Sequence, residues 1–325
     1  MNNIKPKVIY YECLKYQNKS IDLLNEKFDL YVLKKPSLTD YKTLNDVEAI
    51  FCPLGYSFNK ERLKKYNKLK VLGSNTTGHP HIDISFCKKK RIKVITLKNK
   101  KKFLKKVTAT PELTFGLIIM ITRNIIPASK SVLTGNWSRW NFGGLKMLSS
   151  MKLGIVGLGR IGTQLARYAA AFNMEISYYD PMVNNRRYKK VYRLKKLAKN
   201  VDILSIHVPH EPETENLIND EILSCMKNNS FLINTSRGEI IDWKAVLKYL
   251  KNKKLRGVAM DVFDGEFKED FKKNIHDHPF LNYAKKNDNV ILTPHIGGST
   301  IESWQMTEME TIKDVVKHLN QNKEK

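Results

Sequence analysis

The sequence predicts an α/β protein with two doubly wound parallel-sheet domains, and three observations support this fold class. The chain has 325 residues, more than a single core usually fills, and 42% of them are hydrophobic. Short apolar segments alternate with amphipathic helical segments along most of the chain, which is the pattern of parallel βαβ units. Residues 153–180 form one complete unit of this kind, with a glycine-rich turn between its first strand and its helix.

The first part of the chain predicts the smaller domain. Five strands alternate there with short helices, and they are expected at residues 8–11, 29–33, 49–52, 70–73 and 93–96. A longer helix is expected from Pro111 to about Asn124, because proline fits a first helical turn and Glu112 fits the positive end of the helix dipole. We expect this helix to bridge the two domains.

The glycine-rich turn predicts a dinucleotide site. Gly157 permits a tight turn out of the strand, Gly159 lets a pyrophosphate approach the main chain, and Gly162 lets the helix pack closely on the sheet. Unpaired N–H groups at the start of the helix attract the phosphate charge. The combination of turn, helix and two strands therefore predicts a Rossmann dinucleotide-binding domain.

The residue after the second strand of this unit favours NAD over NADP. Asp180 stands where a carboxylate can accept hydrogen bonds from the adenine ribose hydroxyls and would repel a 2′-phosphate. Arg186 and Arg187 follow shortly afterwards and offer charges that could face such a phosphate. NADP therefore stays open as the minority alternative.

The rest of the chain continues the strand and helix alternation. Further strands are expected at residues 203–208, 231–234, 257–261 and 290–292. The final helix, residues 301–320, has apolar residues at helical spacing and needs a partner that covers them, so we expect it to return to the first domain. The predicted domains are residues 1–124 with 299–325, and residues 125–298.

Composition limits the classes of function. The formal net charge is +25, but the lysine clusters are dispersed and no nucleic-acid-binding motif accompanies them, so a solvated basic surface is favoured over nucleic-acid binding. No apolar run approaches a membrane span, and the N-terminus lacks the apolar core of a signal peptide, so we expect a cytoplasmic protein. The four cysteines are scattered singly and are expected to be reduced, and His276 and His278 lack a supporting carboxylate pattern, so no metal is assigned.

Three further segments follow predicted strands, at the sheet edge where ligands bind in such folds. They are Ile-Asn-Thr-Ser-Arg-Gly-Glu at residues 233–239, Met-Asp-Val-Phe-Asp-Gly-Glu at 260–266, and Thr-Pro-His-Ile-Gly-Gly-Ser-Thr at 293–300. Taken with residues 157–162, Asp180-Pro181, residues 207–209 and Thr214, they resemble the D-isomer-specific 2-hydroxyacid dehydrogenase family, which includes phosphoglycerate dehydrogenases and glyoxylate and hydroxypyruvate reductases. The resemblance covers most of the chain, from about residue 72 to residue 300.

The resemblance implies roles for three catalytic residues. Arg237 would bind the substrate's carboxylate and keto oxygen with its planar fork of donors. His295 would give a proton to the carbonyl oxygen during reduction and remove it during oxidation. Glu266, paired with the other ring nitrogen, would favour the imidazolium and fix its orientation.

The resemblance also implies binding residues. Thr77 and Gly78 belong to a loop whose backbone N–H groups would bind the substrate carboxylate, and Asp261 would hold the nicotinamide carboxamide near Thr235. The expected coenzyme contacts are Gly157, Gly159, Arg160, Ile161, Gly162, Asp180, Pro181, His207, Pro209, Thr214, Thr235, Ser236, Asp261 and Gly298.

These expectations lead to one preferred function and one alternative. The preferred function is the NAD-dependent interconversion of a small 2-oxo acid and its D-2-hydroxy acid, in a homodimer formed through the coenzyme domains, with residues 135–144 as a contact. The segment after the third strand, residues 51–55, offers no arginine for a phosphate, which makes 3-phosphoglycerate a less favoured substrate than hydroxypyruvate or glyoxylate. The alternative is a dinucleotide-sensing, corepressor-like binding protein without turnover.

Overall fold

The computed structural model describes residues 5–79, 81–268 and 270–321. Contacts between Cα atoms divide the chain into two compact units, each of which is an α/β layer structure. Unit 1 comprises residues 1–107 and 299–325, and unit 2 comprises residues 108–298. Residues 1–4 and 322–325, which belong to the predicted first domain, lie outside the described residues.

Unit 1 contains a parallel sheet of five strands in the order β2-β1-β3-β4-β5, the order of flavodoxin-like sheets. The strands are β1 (Lys7–Tyr11), β2 (Asp29–Leu33), β3 (Ala49–Phe51), β4 (Val71–Gly73) and β5 (Lys93–Ile95). The helices are α1 (Asn18–Lys27), α2 (Tyr41–Leu44), α3 (Lys60–Leu63), α4 (Ile84–Lys89), α5 (Lys101–Leu104) and, from the end of the chain, α14 (Ile301–Gln321). Apolar side chains on both faces of the sheet form separate clusters, as a doubly wound sheet requires.

The return of the final helix to the first unit is confirmed. Helix α14 packs against α1 and β4, and Ile312, Val315 and Leu319 are buried against the apolar side chains of the sheet. Its helical spacing of apolar residues therefore corresponds to the buried stripe that the sequence predicts.

Unit 2 contains a parallel sheet of seven strands in the order β12-β11-β10-β9-β6-β7-β8. Counted within the unit, this is the Rossmann order with one further strand, which confirms the predicted fold class. The strands are β6 (Lys152–Val156), β7 (Glu175–Tyr179), β8 (Lys189–Lys190), β9 (Ile203–Ile206), β10 (Ser230–Asn234), β11 (Leu255–Met260) and β12 (Val290–Leu292). The helices are α6 (Ala109–Thr122), α7 (Ile125–Leu133), α8 (Arg160–Ala171), α9 (Leu194–Asn200), α10 (Asp220–Cys225), α11 (Trp243–Lys251), α12 (Phe271–Asn274) and α13 (Pro279–Ala284).

The first boundary between the units differs from the predicted one. We predicted that the helix ending near residue 124 belongs to the first domain, whereas α6 lies in unit 2. The reason is packing: Leu117, Ile118 and Ile121 are buried with residues of the seven-stranded sheet, and a Cβ on Gly257 of β11 would lie only 2.8 Å from Ile121 Cγ1. An apolar helix face shows that a sheet covers it, but not which of two sheets.

Strand β8 and helix α7 are among the elements that the sequence did not predict. Strand β8 has only two residues, both lysines, and lies at the edge of the sheet. Helix α7 follows α6 directly and has no buried residue. Among the described residues, no single helix is long and apolar enough to cross a membrane, although the bent pair Lys101–Thr122 and Ile125–Leu133 meets the length and composition test together.

Candidate functional site

The glycine-rich turn of unit 2 has the geometry that its three glycines predict. Gly157 has a φ of +91°, and a Cβ there would lie 2.8 Å from the His207 carbonyl oxygen. A Cβ on Gly162 would lie 2.2 Å from the Gly157 carbonyl oxygen, so only glycine lets α8 begin this close to the turn. A Cβ on Gly159 would meet nothing within 4 Å, which leaves open space beside the main chain at the start of α8.

Asp180 lies at this turn. Its Oδ2 accepts a hydrogen bond from the Leu158 N–H at 2.8 Å, and its Oδ1 accepts from the N–H groups of Met182 and Val183, each at 2.9 Å. These bonds use three of the roughly four acceptor positions of a carboxylate. The carboxylate is half-buried and fixed beside the turn. This is the position at which the sequence predicts the acidic residue that binds the adenine ribose.

The other predicted coenzyme contacts near the turn differ in solvent exposure and in hydrogen bonding. Arg160 and Ile161 begin α8 and are half-buried, and burial lowers the pKa of the Arg160 guanidinium, which stays charged at neutral pH. Pro181 is exposed after Asp180. Thr214 donates to the Pro209 carbonyl oxygen at 2.7 Å and so shapes the loop after β9.

His207 is a neutral imidazole. Burial lowers its pKa to about 3, and its Nε2 lies 2.8 Å from the Ser205 hydroxyl. Its Nδ1 is buried and has no partner among the described residues. An orphaned buried nitrogen beside an open glycine turn fits a bound group that supplies the missing hydrogen bond.

The Arg237 loop is held by a buried amide. Asn234, at the end of β10, donates from Nδ2 to the Arg237 carbonyl oxygen at 2.8 Å, and its Oδ1 accepts from the Ser236 N–H at 3.0 Å. The Ser236 hydroxyl donates to the Val208 carbonyl oxygen. A Cβ on Gly238 would lie 2.1 Å from the Asp264 nitrogen, so this loop is packed against the loop after β11.

Thr235 is buried and reaches across to helix α6. Its hydroxyl lies 2.8 Å from the Thr114 hydroxyl, and Thr114 donates its single proton to the Thr110 carbonyl oxygen at 2.7 Å. Thr235 is therefore the donor of the pair, and its oxygen keeps only acceptor capacity toward a ligand.

His295 and Glu266 form a hydrogen-bonded pair. The His295 Nδ1 lies 2.8 Å from the Glu266 Oε1, and the side chains are 34% and 10% exposed. Because a carboxylate oxygen accepts, Nδ1–H is the donor and Nε2 remains for a substrate. The ring centroids of Phe267 and His295 are 5.6 Å apart, so the Phe267 ring lies beside one side of the imidazole.

Asp261 lies beneath the loop that contains His295. It is 1% exposed, and it accepts from the Thr293 hydroxyl and from the N–H groups of Ile296 and Gly297. Gly298 is exposed, and a Cβ there would meet nothing within 4 Å. The structure therefore brings residues from the ends of β10, β11 and β12 together.

Thr77 and Gly78 lie in unit 1, in the loop after β4. Thr77 is exposed and Gly78 is half-buried. Neighbouring hydroxyls hold the loop: Thr76 donates to the Gly78 carbonyl oxygen at 2.6 Å, and Ser74 lies 2.9 Å from Thr76.

Sequence reasoning missed Asn234, Gly238 and Thr293 as functional residues. The signal for Asn234 was its place as the last residue of an apolar strand, where an asparagine side chain often closes a turn of its own backbone. Gly238 and Thr293 gave no local signal, because their partners lie on other loops. Among the described residues, no group of three or more His, Cys, Asp or Glu is arranged to hold a metal ion.

Comparison with protein families gives a match within unit 2. Residues 115–297 match the family described as D-isomer specific 2-hydroxyacid dehydrogenase, NAD binding domain. The matched range contains the glycine turn, Asp180, Arg237, Glu266 and His295.

Individual relatives agree with this match. A glyoxylate reductase of Thermofilum pendens is 36% identical over 275 residues, which cover 81% of this chain and 76% of the relative. A D-3-phosphoglycerate dehydrogenase of Methanocaldococcus jannaschii is 34% identical over 265 residues, 80% of this chain and 47% of the relative. The crystal structure of a D-lactate dehydrogenase from Aquifex aeolicus, complexed with NAD and lactic acid, has a TM-score of 0.80 at 28% identity and covers 98% of this chain and 96% of that chain.

Proposed function

The chain belongs to the D-isomer specific 2-hydroxyacid dehydrogenase family, and we propose that it interconverts a small 2-oxo acid and its D-2-hydroxy acid with NAD as coenzyme. The observation on which this proposal rests is the hydrogen bond between His295 Nδ1 and Glu266 Oε1 at 2.8 Å. That bond orients the imidazole and leaves Nε2 free to exchange a proton with a substrate oxygen.

Arg237 is the proposed substrate anchor. Its side chain is half-buried, and its backbone is fixed on both sides, by Asn234 and by the close packing of Gly238. A guanidinium can bind a carboxylate with two parallel hydrogen bonds, which a lysine cannot do. Thr77 and Gly78 remain predicted ligands of the substrate carboxylate.

The residues of the glycine turn fit a dinucleotide. The open space at Gly159, the fixed carboxylate of Asp180 and the orphaned Nδ1 of His207 would hold the pyrophosphate, a ribose and the adenine end. When bound, the nicotinamide supplies or accepts the hydride. The D-lactate dehydrogenase of Aquifex aeolicus, which is similar over nearly the whole chain, has NAD and lactic acid in its structure, which supports the proposed choice of ligands.

Turnover tests the proposed reaction. The pure protein is mixed with NADH and with glyoxylate, hydroxypyruvate, pyruvate or 2-oxoglutarate, and NADH oxidation is followed by absorbance. We expect oxidation with at least one acid, a loss of about 10²- to 10⁴-fold in kcat in His295→Ala, and a smaller loss in Glu266→Gln. Arg237→Lys keeps the charge but not the fork, so it should mainly raise KM. Turnover that survives both His295→Ala and Arg237→Ala would contradict the assigned roles.

Coenzyme choice is tested at Asp180. The wild type should prefer NADH to NADPH, and Asp180→Ser should reduce that preference because it removes the charge that repels a 2′-phosphate. Arg186→Ala with Arg187→Ala is the matched control, since these arginines are the groups that could bind that phosphate. A wild type that prefers NADPH and loses this preference in the arginine variant would identify NADP as the coenzyme.

A second outcome is a binding protein without turnover, the corepressor-like alternative. The observation that favours it is the net charge of +25. Binding of NADH without oxidation by any 2-oxo acid, together with salt-dependent capture of nucleic acid, would support this alternative and exclude the dehydrogenase.

We also propose that two copies associate through unit 2. Residues 125–147, which we call the exposed arm, contain α7 without a buried residue, and Leu133, Trp137 and Trp140 are 84%, 86% and 81% exposed. An apolar surface of this kind usually meets a protein partner. The family resemblance makes a second copy of the chain the preferred occupant.

Sedimentation tests this association. We expect a dimer at micromolar concentration, and a monomer after Trp137→Ala with Trp140→Ala. Tyr192→Ala is the matched control, because Tyr192 is a similarly exposed aromatic residue outside the arm, at 80%. A monomeric wild type would contradict the proposal.

The four free cysteines are consistent with a reducing compartment, and we propose a cytoplasmic location, which cell fractionation tests.

A further inference from the structure

We propose that Asp261 is a positioning residue for His295, and that its buried carboxylate holds the loop of residues 293–297 in the conformation that proton transfer needs. This inference rests on the proposed function for its catalytic meaning. It differs from the role that the family resemblance implies for Asp261, which is a contact with the nicotinamide carboxamide.

The carboxylate of Asp261 accepts hydrogen bonds from the loop on both of its oxygens. Oδ1 accepts from the Thr293 hydroxyl at 2.6 Å and from the Ile296 N–H at 2.8 Å, and Oδ2 accepts from the Gly297 N–H at 2.7 Å. One bond precedes His295 in sequence and two follow it, so the carboxylate fixes both sides of the histidine. The residue is 1% exposed, and both oxygens face the chain's own donors.

The loop needs such a constraint. His295 has a φ of +55°, a left-handed conformation that a residue with a side chain rarely adopts. Strained backbone of this kind persists only where the surroundings determine it. The His295 N–H donates to the Thr293 carbonyl oxygen at 3.0 Å, which closes a tight turn, but it fixes only one end of the loop. Asp261 adds a bond from Thr293 at this end and accepts both bonds, from Ile296 and Gly297, at the other end.

Gly297 shows how closely the loop lies on the carboxylate. A Cβ there would be 2.9 Å from Asp261 Oδ2 and 3.2 Å from Thr110 Cγ2. Glycine therefore permits the N–H group to reach the carboxylate. The Asp261 N–H in turn donates to the Asn234 carbonyl oxygen at 3.0 Å, so the strand that supports Arg237 also fixes the residue that supports His295.

Asp261→Asn separates the two roles. The amide keeps the shape of the side chain but presents an NH₂ group to a backbone N–H, so the loop loses at least one hydrogen bond. For a positioning role we expect kcat to fall about 10- to 100-fold while the Kd for NADH stays within about 2-fold. Protein fluorescence measures that Kd. A Kd raised more than about 10-fold, with kcat at saturating NADH preserved, would show a carboxamide contact instead and overturn the proposal.

Thr293 provides a milder matched pair in case Asp261→Asn does not fold. Thr293→Val removes the hydroxyl donor and keeps the shape, whereas Thr293→Ser keeps the hydroxyl. We expect kcat to fall about 3- to 10-fold in the valine variant and to stay within about 2-fold of the wild type in the serine variant. Equal activity in both variants would contradict a role for this hydrogen bond.

The position of the imidazole can be measured without turnover. In protein with labelled histidines, the ring resonances of His295 are identified by their loss in His295→Ala. We expect them to shift in Asp261→Asn and Thr293→Val, while the His318 resonances in unit 1 stay unchanged. Unchanged His295 resonances in both variants would overturn the proposal. If the wild type turns over no 2-oxo acid, the proposed function fails, but the shift still decides whether Asp261 positions His295.

Discussion

Each of the two sheets has a serine and a histidine hydrogen-bonded near a strand end, but the surroundings differ. In unit 1 the Ser74 hydroxyl lies 3.3 Å from the His81 Nε2, and in unit 2 the Ser205 hydroxyl lies 2.8 Å from the His207 Nε2. Burial lowers the pKa of His81 to about 4 and that of His207 to about 3, so both rings are neutral at pH 7.

In unit 1 the pair continues into a chain of hydroxyl groups. Thr76 gives its proton to the Gly78 carbonyl oxygen, so Ser74 is the donor to Thr76 and the His81 Nε2–H is the donor to Ser74. The loop at the end of this chain contains the exposed Thr77. Because small groups that can rotate hold this loop, we expect it to be adjustable.

In unit 2 the strand ends are held by packing and by buried groups of fixed shape. Asn234 and Asp261 are 0% and 1% exposed, and Gly238 packs where no Cβ fits. The comparison indicates that a serine–histidine pair does not by itself determine how firmly the loops at a sheet edge are held. What decides is how closely backbone from another loop approaches.

The largest expected effect is in a pair of glycine substitutions. In Gly238→Ala the Cβ would lie 2.1 Å from the Asp264 nitrogen, and backbone cannot move aside easily, so we expect a loss of about 3 kcal/mol in unfolding free energy and at least about 100-fold in kcat/KM. In Gly73→Ala the nearest atom is Val315 Cγ2 at 3.1 Å, a side chain that can shift, so we expect about 1 kcal/mol. Urea unfolding and initial rates measure both. Equal losses would contradict the distinction between the two sheets.

The next largest effect is expected in the pH dependence of the unfolding free energy, to which both histidines contribute. Since burial depresses both pKa values below the usual value of about 6.5, the unfolded chain binds protons that the folded chain does not, and stability falls as pH falls from about 6.5 toward 4. His81→Gln and His207→Gln should each reduce the slope of unfolding free energy against pH by about 1.4 kcal/mol per pH unit near pH 5. Hydrogen exchange reports each unit separately.

Measurement at pH 8 is the internal control for this prediction. There the histidines are neutral in both states, so any difference between variant and wild type reports lost packing alone. A slope that changes only in His207→Gln would show that the hydroxyl chain of unit 1 lets His81 take up a proton in the folded state.

The fold was predictable from the sequence where the signals are local. The turn at Gly157 and Gly162 requires glycine for reasons of backbone conformation and close packing, and Asp180 follows its strand directly. All predicted strands are present, with bounds that differ by up to two residues. The unit boundary was wrong because an apolar face like that of α6 does not identify the sheet that covers it.

The site was predictable as a set of residue types, but not as a set of contacts. The catalytic candidates came from the family resemblance, and two of them, His295 and Glu266, are hydrogen-bonded to each other in the structure. The supports of the loops, Asn234 and Gly238, depend on distances between strand ends that are far apart in sequence. No pattern within a single segment specifies such distances.

A smaller effect of pH on stability is expected at Glu308, and its sign is opposite to that of the two histidines. This carboxyl is 2% exposed on α14, where its Oε2 accepts from the Gln17 N–H at 2.9 Å. Burial raises its pKa, and the hydrogen bond from the Gln17 N–H acts in the opposite direction. Because the folded pKa exceeds the unfolded one, the stabilisation is complete below about pH 4.3 and is lost as pH rises through the folded pKa.

Glu308→Gln keeps an acceptor oxygen and removes the charge. Relative to the wild type, the variant should become more stable as pH rises from 4 to 7.5, measured as the unfolding free energy in urea at each pH. Glu26→Gln on α1, an exposed glutamate, is the matched control for a general change in net charge. A variant that becomes less stable than the wild type as pH rises would show that the charge is needed for the bond to Gln17.

The smallest effect is expected in the hydroxyl chain of unit 1. Thr76→Val removes the donor to Gly78 and the acceptor for Ser74, while Thr76→Ser keeps both. If the loop is adjustable, the valine variant should lose only about 0.5 to 1 kcal/mol in stability, and KM for the 2-oxo acid should rise about 2- to 5-fold with kcat nearly unchanged, because the loop can still adopt the binding conformation. The serine variant should match the wild type. A loss in Thr76→Val as large as that in Gly238→Ala would mean that hydroxyl groups fix a loop as firmly as packed backbone does.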